Sequence, residues 1–468
     1  MRYRYITAFT AACLMVLLGA TNVAAGAEAE GVPSFSKDVA PILFEKCVVC
    51  HRPGQIAPMS LISYKTTRPW ARAIKEKVVA REMPPWFADA NASVKFRNDR
   101  SLTQEQIDTI VAWADGGAPE GNATELPSFP EFFEGWRFGE PDHIFDMPIE
   151  YDIPAEGEIP TIYFYSKIPF AEDRFIDAVE MKPTGTTTVH HANIQFVELP
   201  EGTQVVNGRA MHPNGQEMTR DQANKSDVWN ANSTKFISYV PGRGYEKWGR
   251  GVGKRIPADK HMVWSMHYQP TGRPEKDQTR VGIYFAKTPV THEIFSTVIS
   301  SPFPTEPTRA RRVIADGQEV PYSTATEDRS KTVPPIPPHA DNWKMVGIMP
   351  VLEPITVWSF QPHFHLRGKD VQYVVTYPDG REETILTVPN YNFDWQLHYE
   401  LETPLQIPGG STVISVVHFD NSVKNRYNPA PDRWVHWAEQ SWDEMYSPFM
   451  FYSIDSQDLS KQTGSTDQ

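Results

Sequence analysis

The sequence predicts a mainly β protein in which two antiparallel jelly-roll β-sandwich domains are preceded by a small all-α domain. Short runs such as "TVHHANIQFVEL", "HMVWSMHYQP" and "STVISVVHFD" are rich in β-branched and aromatic residues and are bounded by turn residues. The chain also holds 41 prolines, which do not fit inside long helices. Because the runs follow one another without intervening helices, they favour antiparallel sandwiches over parallel sheets.

The N-terminus has the pattern of a secretory signal peptide. Arg2 and Arg4 precede an apolar run that ends at Ala20, and small residues lead to a predicted cleavage site after Ala27. Residues 1–27 are predicted to direct export to the periplasm or the medium, and no later segment is apolar enough to predict a membrane span. Their removal takes away two positive charges, so the formal net charge changes from −13 to −15. So acidic a chain is not expected to bind nucleic acid.

Two cysteines, Cys47 and Cys50, remain after this cleavage, in the sequence "CVVCH". With His51 they form the C-x-x-C-H pattern that attaches haem c through two thioethers and one histidine ligand to iron. The alternatives are a redox dithiol and half of a zinc site, but the sequence offers no further Cys or His at the close spacing that zinc requires. We therefore predict one covalent haem c.

Helical patterns flank this motif. Upstream, "FSKDVAPILFEKC" predicts a short helix from Ser36. Downstream, Thr103 and Gln106 form a capping box for a helix that ends at a Gly-Gly pair. This layout resembles a small class I cytochrome c over residues 32–122.

That resemblance implies a methionine as the sixth iron ligand, on the loop before the last helix. Met83, in "REMPPW", lies at a point fixed by two prolines. Met59 is the alternative, but it follows His51 by only eight residues, which leaves little chain to cross the haem. Either methionine is also a candidate for ordinary packing.

The rest of the chain is predicted to divide at two Pro-rich stretches. Residues 123–145 are predicted to form a linker, followed by jelly rolls over residues 146–302 and 303–460 and a polar tail over residues 461–468. The boundary between the jelly rolls rests on "TEPTRARR" and "KTVPPIPP", which interrupt the strand-like runs.

Five histidines lie in three strand-like motifs. His190 and His191 are adjacent in "TVHHANIQF", and neighbours on a regular strand point to opposite faces, so both can reach one metal only at a strand end or a bulge. His267 lies near the end of the run "SMHYQP". His363 and His365, in "QPHFHLRGKD", are predicted to project from one face of a strand, close enough to share an ion.

These motifs resemble those of a known enzyme family. "TVHHANIQF", "SMHYQP", "QPHFHLRGKD" and "SWDEMYSPFMFYS" are similar, in this order, to the metal motifs of the copper type II, ascorbate-dependent monooxygenases, which include peptidylglycine alpha-hydroxylating monooxygenase and dopamine beta-monooxygenase. The resemblance covers residues 146–460 and is nearest to a bacterial form with an N-terminal cytochrome c domain. It implies two copper ions, one for electron transfer and one that binds oxygen. The first would be held by His190, His191 and His267, and the second by His363, His365 and Met445.

The resemblance implies that one oxygen atom of O2 is inserted into a C–H bond of a small organic substrate, with His363, His365 and Met445 as the catalytic ligands. Imidazoles with a thioether suit a copper that cycles through Cu(I), and do not suit Mg or Ca. Electrons would enter through the fused haem from an upstream periplasmic cytochrome or a quinol-linked donor. The alternative is a non-catalytic periplasmic protein that binds haem and copper or senses copper.

Other residues near the motifs are weaker candidates. Tyr446, Phe449 and Phe451 would wall a substrate pocket, and Arg367 would bind an anionic group. His418 and His436 have no assigned role, and the family implies none for them.

Overall fold

The structure is a computed structural model, and it describes residues 31–132, 135–223, 235–299, 312–319, 334–438 and 440–464. The predicted signal peptide and the predicted boundary between residues 302 and 303 lie outside the described residues. None of the helices in these ranges combines the length and the apolar character that a membrane crossing requires.

The regular elements of residues 35–125 are helices, and we call this region the helical part. They are a π-helix Phe35–Val39, α1 Ala40–Lys46, α2 Tyr64–Thr67, a 3-10 helix Arg68–Trp70, α3 Ala71–Val79, α4 Gln104–Asp115 and a 3-10 helix Ala123–Glu125. The predicted capping box is present at the start of α4, where Thr103 and Gln106 accept from each other's backbone N–H. The helices share one core that includes Phe35, Leu43 and Trp113.

Strands β1–β14 form the first β unit, residues 143–293. They are β1 His143–Asp146, β2 Tyr151–Ile153, β3 Ile162–Lys167, β4 Arg174–Lys182, β5 Val189–Val197, β6 Gln204–Val206, β7 Arg209–Met211, β8 Ile237–Tyr239, β9 Tyr245–Lys247, β10 Val252–Ile256, β11 His261–Tyr268, β12 Glu275–Asp277, β13 Arg280–Phe285 and β14 His292–Glu293. A short helix, α5 Arg220–Ala223, follows β7. One main sheet has the order β1-β13-β4-β10-β14 with β9 beside β4, and the other has the order β3-β11-β5-β8.

Strands β15–β24 form the second β unit, residues 295–454. They are β15 Phe295–Val298, β16 Arg312–Ala315, β17 Gln318–Glu319, β18 Trp343–Pro350, β19 Ile355–His363, β20 Gly368–Thr376, β21 Glu382–Val388, β22 Tyr399–Ile407, β23 Thr412–Phe419 and β24 Ser447–Ile454, and a 3-10 helix Leu459–Gly464 follows. Its two sheets have the orders β15-β24-β19-β22 and β17-β16-β18-β23-β20-β21.

Each β unit buries an apolar core to which both of its main sheets contribute. In the first, Val179 and Val281 of one sheet share a core with Ile194 and Trp264 of the other. The alternation of buried and more exposed residues along β5 and β23 is what half-buried strands require. The prediction of a mainly β chain is confirmed.

The segment between α3 and α4 attaches the helical part to the second β unit. Trp86 is buried in the core of that unit, with its ring 5.0 Å from the ring of Tyr399. Phe96 forms a bridge with Leu401 on β22, flanked by backbone hydrogen bonds of 2.9 and 2.8 Å. The helical part and the second β unit therefore share a core and a short β pairing.

Candidate metal centre

A β-bulge directs His190 and His191 towards one another. Where β5 pairs with β11, His191 lies opposite His267 and Val189 lies opposite Tyr268, so His190 is the extra residue. A bulge re-aims side chains that would otherwise point to opposite faces. The two ring centroids lie 5.2 Å apart. The pair therefore lies at a bulge, one of the two places where neighbouring residues of a strand can reach the same metal.

His267 completes a cluster of three imidazoles, which we call the three-histidine set (His190, His191 and His267). Its ring centroid lies 4.5 Å from that of His191 and 5.5 Å from that of His190. A ring bound to a metal at about 2.1 Å has its centre about 3.2 Å from the ion, so rings that share one ion have centres about 5 Å apart. The spacing of the set fits a shared ion.

In two of these rings the nitrogen without a partner is Nδ1. The Nδ1 atoms of His190 and His191 are buried and have no hydrogen-bond partner. The Nε2 atom of His190 lies 3.6 Å from Asp394 Oδ1, and that of His191 lies 3.5 Å from Gln396 Nε2. For His190, whose Nε2 faces a carboxylate that can accept its proton, a metal ion at Nδ1 would explain the unpaired atom. Gln396 Nε2 can only donate, so His191 Nε2 accepts there and the proton of the neutral His191 ring lies on Nδ1.

Burial favours the neutral form of these rings. Burial, with the charges of His190 and His365 acting in the same direction, lowers the pKa of His267 to about 3. Burial also holds the pKa of His191 well below its ordinary value. A neutral imidazole is the form that binds metal.

The second group, which we call the His-Met set, consists of His363, His365 and Met445. The prediction that both histidines project from one strand face is corrected, because β19 ends at His363 and His365 lies beyond it. The two rings are nevertheless 5.5 Å apart and nearly perpendicular. Met445 arrives from the other side, two residues before Ser447, which pairs with His363 in the sheet.

In the His-Met set it is Nδ1 that is occupied. His363 Nδ1 lies 2.5 Å from Gln396 Oε1, and His365 Nδ1 lies 3.3 Å from the carbonyl oxygen of Asp443. With Nδ1 donating to these oxygens, Nε2 of each ring carries the lone pair that a metal needs.

Glu444 fixes the backbone around this set, and the sequence analysis did not identify it. Its buried carboxyl accepts from the backbone N–H of His365, from that of Arg367 at 3.0 Å and from that of Met445 at 2.9 Å. Burial raises the pKa of Glu444 to about 7. Its position beside Met445 was visible in the sequence, but only the fold brings it to the turn after β19.

The described residues contain no three His, Cys, Asp or Glu side chains already arranged to hold an ion. The ring centres of the three-histidine set have the spacing of a shared ion, but their nitrogens do not converge on one point. The rings would have to rotate to bind an ion. The His-Met set has only two residues of these types, because its third donor is a thioether. Copper therefore stays a prediction at both sets.

A cavity of about 70 Å³ lies between the two sets. His191 and His267 line it on one side, and His363, His365 and Met445 line it on the other. Of the predicted pocket residues, Phe449 lines this cavity, whereas Tyr446 and Phe451 are not among its lining residues.

Arg367 does not face the cavity, so the prediction that it binds an anionic group there is wrong. Its side chain is buried and donates to Asn421 Oδ1 at 3.1 Å and to the carbonyl oxygen of Trp442 at 2.8 Å. His418 also points elsewhere, with Nδ1 2.6 Å from Asp370 Oδ1 on a neighbouring strand.

Phe393 and Gln396 lie between the two sets and were not identified from the sequence. The Phe393 ring lies 5.7 Å from that of His191 and 5.9 Å from that of His365, and the Gln396 amide contacts His191 and His363. Nothing in "YNFDWQLH" resembles a metal motif, since the role of these residues depends on tertiary contact.

The C-x-x-C-H motif follows α1 in the helical part. Cys47 and Cys50 are free thiols at the end of α1. His51 Nδ1 lies 3.3 Å from the carbonyl oxygen of Met59, so Nε2 is the ring nitrogen that this contact leaves open. Met59 packs against the helical core, and Met83 lies half-buried beyond α3.

The motif also touches the first β unit. A Cβ built on Gly242 would lie 3.0 Å from Cys50 Sγ. Gly242 follows β8, whose Tyr239 pairs with Ala192 on β5, next to His191. One short strand therefore connects the C-x-x-C-H motif with the three-histidine set.

No family model matches this chain, and no curated protein matches it. Among solved structures, that of PNGF-II is 8% identical, with 67% of this chain and 65% of that chain covered and a TM-score of 0.24. The CBM22-1-CBM22-2 tandem domain of Paenibacillus barcinonensis Xyn10C is 9% identical, with coverage of 66% and 82% and a TM-score of 0.15. A mutant of Bacillus subtilis oxalate decarboxylase is 9% identical, with coverage of 72% and 81% and a TM-score of 0.13. Similarities this low support no inference about function.

Proposed function

We propose that this protein is a periplasmic copper-dependent monooxygenase that hydroxylates a C–H bond of a small organic substrate and receives electrons through a haem c on the same chain. The observation that carries the proposal is the cavity shared by two groups of histidines, of which His365 is buried and the others are partly buried. A protein that only bound copper would not need both groups to face one space, so the cavity favours catalysis over binding alone.

The reaction would be R–H + O2 + 2e⁻ + 2H⁺ → R–OH + H2O, with both electrons from an external donor. Copper would supply one-electron redox chemistry and O2 activation, the three-histidine set holding one ion and the His-Met set the other. The chain itself would bind and orient the substrate, with a C–H bond beside His363, His365 and Met445 in the cavity. Phe393 and Phe449 exclude water from that space.

In the same proposal, the helical part is a class I cytochrome c domain and the two β units are the jelly rolls of the monooxygenase family. Cys47 and Cys50 would hold the porphyrin, and His51 would bind iron through Nε2. The Met59 carbonyl contacts Nδ1 of His51, so Met59 already has a role in holding that histidine. Met83 would therefore be the methionine that serves as the sixth ligand.

The contact between Cys50 and Gly242 supports haem as the point of electron entry. A haem on Cys50 would lie against the turn after β8, and β8 leads through its pairing with β5 to His191. An upstream periplasmic cytochrome or a quinol-linked donor would reload it.

Metal and haem analysis of the exported protein tests the proposal. One haem c per chain by its absorbance spectrum and two copper ions by mass spectrometry are expected. A chain that retains no copper after equilibration with Cu(I) would overturn it.

Electron entry is tested separately. A variant with Cys47→Ser and Cys50→Ser should keep both copper ions. Its copper should still be reduced by ascorbate but no longer by a reduced periplasmic cytochrome, followed anaerobically by the Cu(II) spectrum. Equal reduction of variant and parent by the cytochrome would remove the haem from the path and leave the copper sites in place.

A further inference from the structure

The cavity between the two sets carries positive charge as well as metal-binding side chains. Arg220 and Lys235 line it, and no Asp or Glu is among its described lining residues. The rest of the wall is mainly neutral and partly aromatic, with Tyr163, Phe393 and Phe449. A space with this lining suits a small anionic molecule with an apolar body.

Lys235 is buried without a carboxylate partner. Its side chain is nearly inaccessible, and Nζ donates to Gln361 Oε1 at 3.1 Å and lies 4.6 Å from the centre of the Phe449 ring. Within the described parts of the chain, no carboxylate lies at ion-pair distance from it. An ammonium group has three donors, so an amide oxygen and a ring leave it short of acceptors.

Lys254 shows how the same fold treats a buried lysine that has only a structural role. Its Nζ lies 2.8 Å from Glu246 Oε2 and donates to the carbonyl oxygens of Lys235 and Phe236 at 3.2 and 2.7 Å. That ammonium group is fully paired. The two lysines are close in the fold, so the difference lies in their partners, and only Lys235 lines the cavity.

The unpaired state of Lys235 is costly. Removing an ammonium ion from water is strongly unfavourable unless an opposite charge compensates. Burial is the main reason that the pKa of Lys235 is lowered to about 7; Glu246 opposes this shift and Lys254 adds to it. An anion in the cavity would supply the compensation that the described residues lack.

Arg220 adds a second cation to the same space. Its guanidinium lies 5.3 Å from the centre of the Tyr163 ring. It lines the same cavity as His363 of the His-Met set. A guanidinium presents paired N–H donors that match the two oxygens of a carboxylate.

We propose that Lys235 and Arg220 form a carboxylate-binding subsite, so that the substrate is a small organic carboxylate. This inference rests on the proposed function and names its substrate class. The carboxylate would lie between the two cations, and the apolar body would extend along Phe393 and Phe449 to the His-Met set.

The experiment compares benzoate with benzamide, which have the same shape but differ in charge. Calorimetric titration of the full chain, with and without bound copper, should show benzoate binding about 10- to 100-fold more tightly, the effect of a hydrogen bond to a charged group. Lys235→Met should remove most of this preference while benzamide binding changes little. Lys260→Met is the matched control, because Lys260 is an exposed lysine of the first β unit outside the cavity.

Arg220→Gln and Lys235→Arg keep the test decisive if Lys235→Met fails to fold. The first should reduce the preference for benzoate, and the second should preserve most of it. Equal binding of benzoate and benzamide by the parent, or an unchanged preference in the folded Arg220→Gln and Lys235→Met variants, would overturn the subsite. If the parent shows no preference for benzoate but still holds two copper ions, the subsite is refuted and the proposed function still stands. A preference in a chain that never binds copper would refute the monooxygenase and keep the carboxylate site.

Discussion

His190 of the three-histidine set and the two histidines of the His-Met set leave opposite ring nitrogens for a metal. In the first, Nε2 of His190 faces the Asp394 carboxylate, which leaves Nδ1 without a partner, whereas Nε2 of His191 accepts from the Gln396 amide. In the second, Nδ1 of each ring is engaged, which leaves Nε2. The contrast teaches that the hydrogen-bond partner of the second nitrogen, rather than sequence spacing, decides which atom of a histidine is offered to a metal.

The sets also differ in how the backbone forms them. A bulge in a continuous ladder between β5 and β11 gathers the three-histidine set. The His-Met set assembles at the end of β19, where the Glu444 carboxyl accepts hydrogen bonds from backbone N–H groups of the turn. The first is therefore built into the sheet, whereas the second depends on a turn and a buried carboxyl.

Removing one ligand from each set gives the largest expected effect. His191→Ala and His363→Ala should each reduce bound copper from two ions per chain to one, because each disrupts a single site. X-ray absorption should then separate them: scattering from the Met445 sulfur should persist in His191→Ala and vanish in His363→Ala.

His418→Ala is the control for these variants, since His418 pairs with Asp370 away from the cavity. It should retain both copper ions. If either ligand variant kept two ions, or if both variants lost sulfur scattering, the division into two independent sets would fail.

Much of this division could be predicted from the sequence, for local reasons. Strand-like runs, the capping box at Thr103 and the need for a bulge at His190 follow from propensity and the two-residue period of a strand. The roles of Gln396, Glu444 and Lys235 could not be predicted, because each depends on a contact between segments distant in sequence. Arg367 shows the converse: a charged residue beside a motif was assigned to the cavity, yet its turn directs it into a hydrogen-bonded interior.

The second prediction concerns the ion pair that joins the two β units, each of which carries residues of one set. Arg243 of the first β unit donates to Glu400 of the second at 2.8 Å, and Arg97 donates to the same carboxyl at 2.6 Å. Glu400→Gln should lower the free energy of unfolding by about 3–5 kcal/mol at pH 7, since it leaves a buried guanidinium unpaired. Glu402→Gln, at an exposed position on the same strand, should change it little.

The pH dependence of that effect follows from the pKa of Glu400. Burial raises this pKa, but Arg243 and then Arg97 outweigh burial, so the net shift is downward. The ion pair therefore stabilises the fold above the unfolded pKa of about 4.3, and the stabilisation is lost as the pH falls through the folded value. Denaturant titrations should show the difference between parent and Glu400→Gln shrinking below about pH 4. A difference that stays constant would contradict this role.

Gln396→Leu should weaken copper binding less than the loss of a ligand does. Groups that hold the second nitrogen of a ligating histidine typically contribute 10- to 100-fold in metal affinity. The effect should be larger at the His-Met set, where Gln396 Oε1 accepts from His363 Nδ1 at 2.5 Å, than at the three-histidine set, where Gln396 Nε2 can only donate to His191 Nε2 at 3.5 Å. Competition with a Cu(I) chelator, with sulfur scattering to identify the site, measures both. Equal weakening of the two sites would mean that Gln396 supports the contact between the two β units and does not act mainly through His363.

Asp394→Asn should have the smallest effect and should act on one set alone. Its carboxylate lies 3.6 Å from His190 Nε2 and is about half exposed, so solvent screens the interaction. Removing the charge while keeping the shape should lower copper affinity at the three-histidine set by less than about tenfold, which corresponds to the 1 kcal/mol or so of an exposed ion pair. The His-Met set, which Asp394 does not contact among the described residues, should be unaffected in the same chelator competition. Asp394→Asn could instead weaken the His-Met site as much as Gln396→Leu does. In that case the two sets would not be separate sites with their own supporting contacts. The segment between them would then belong to a single centre.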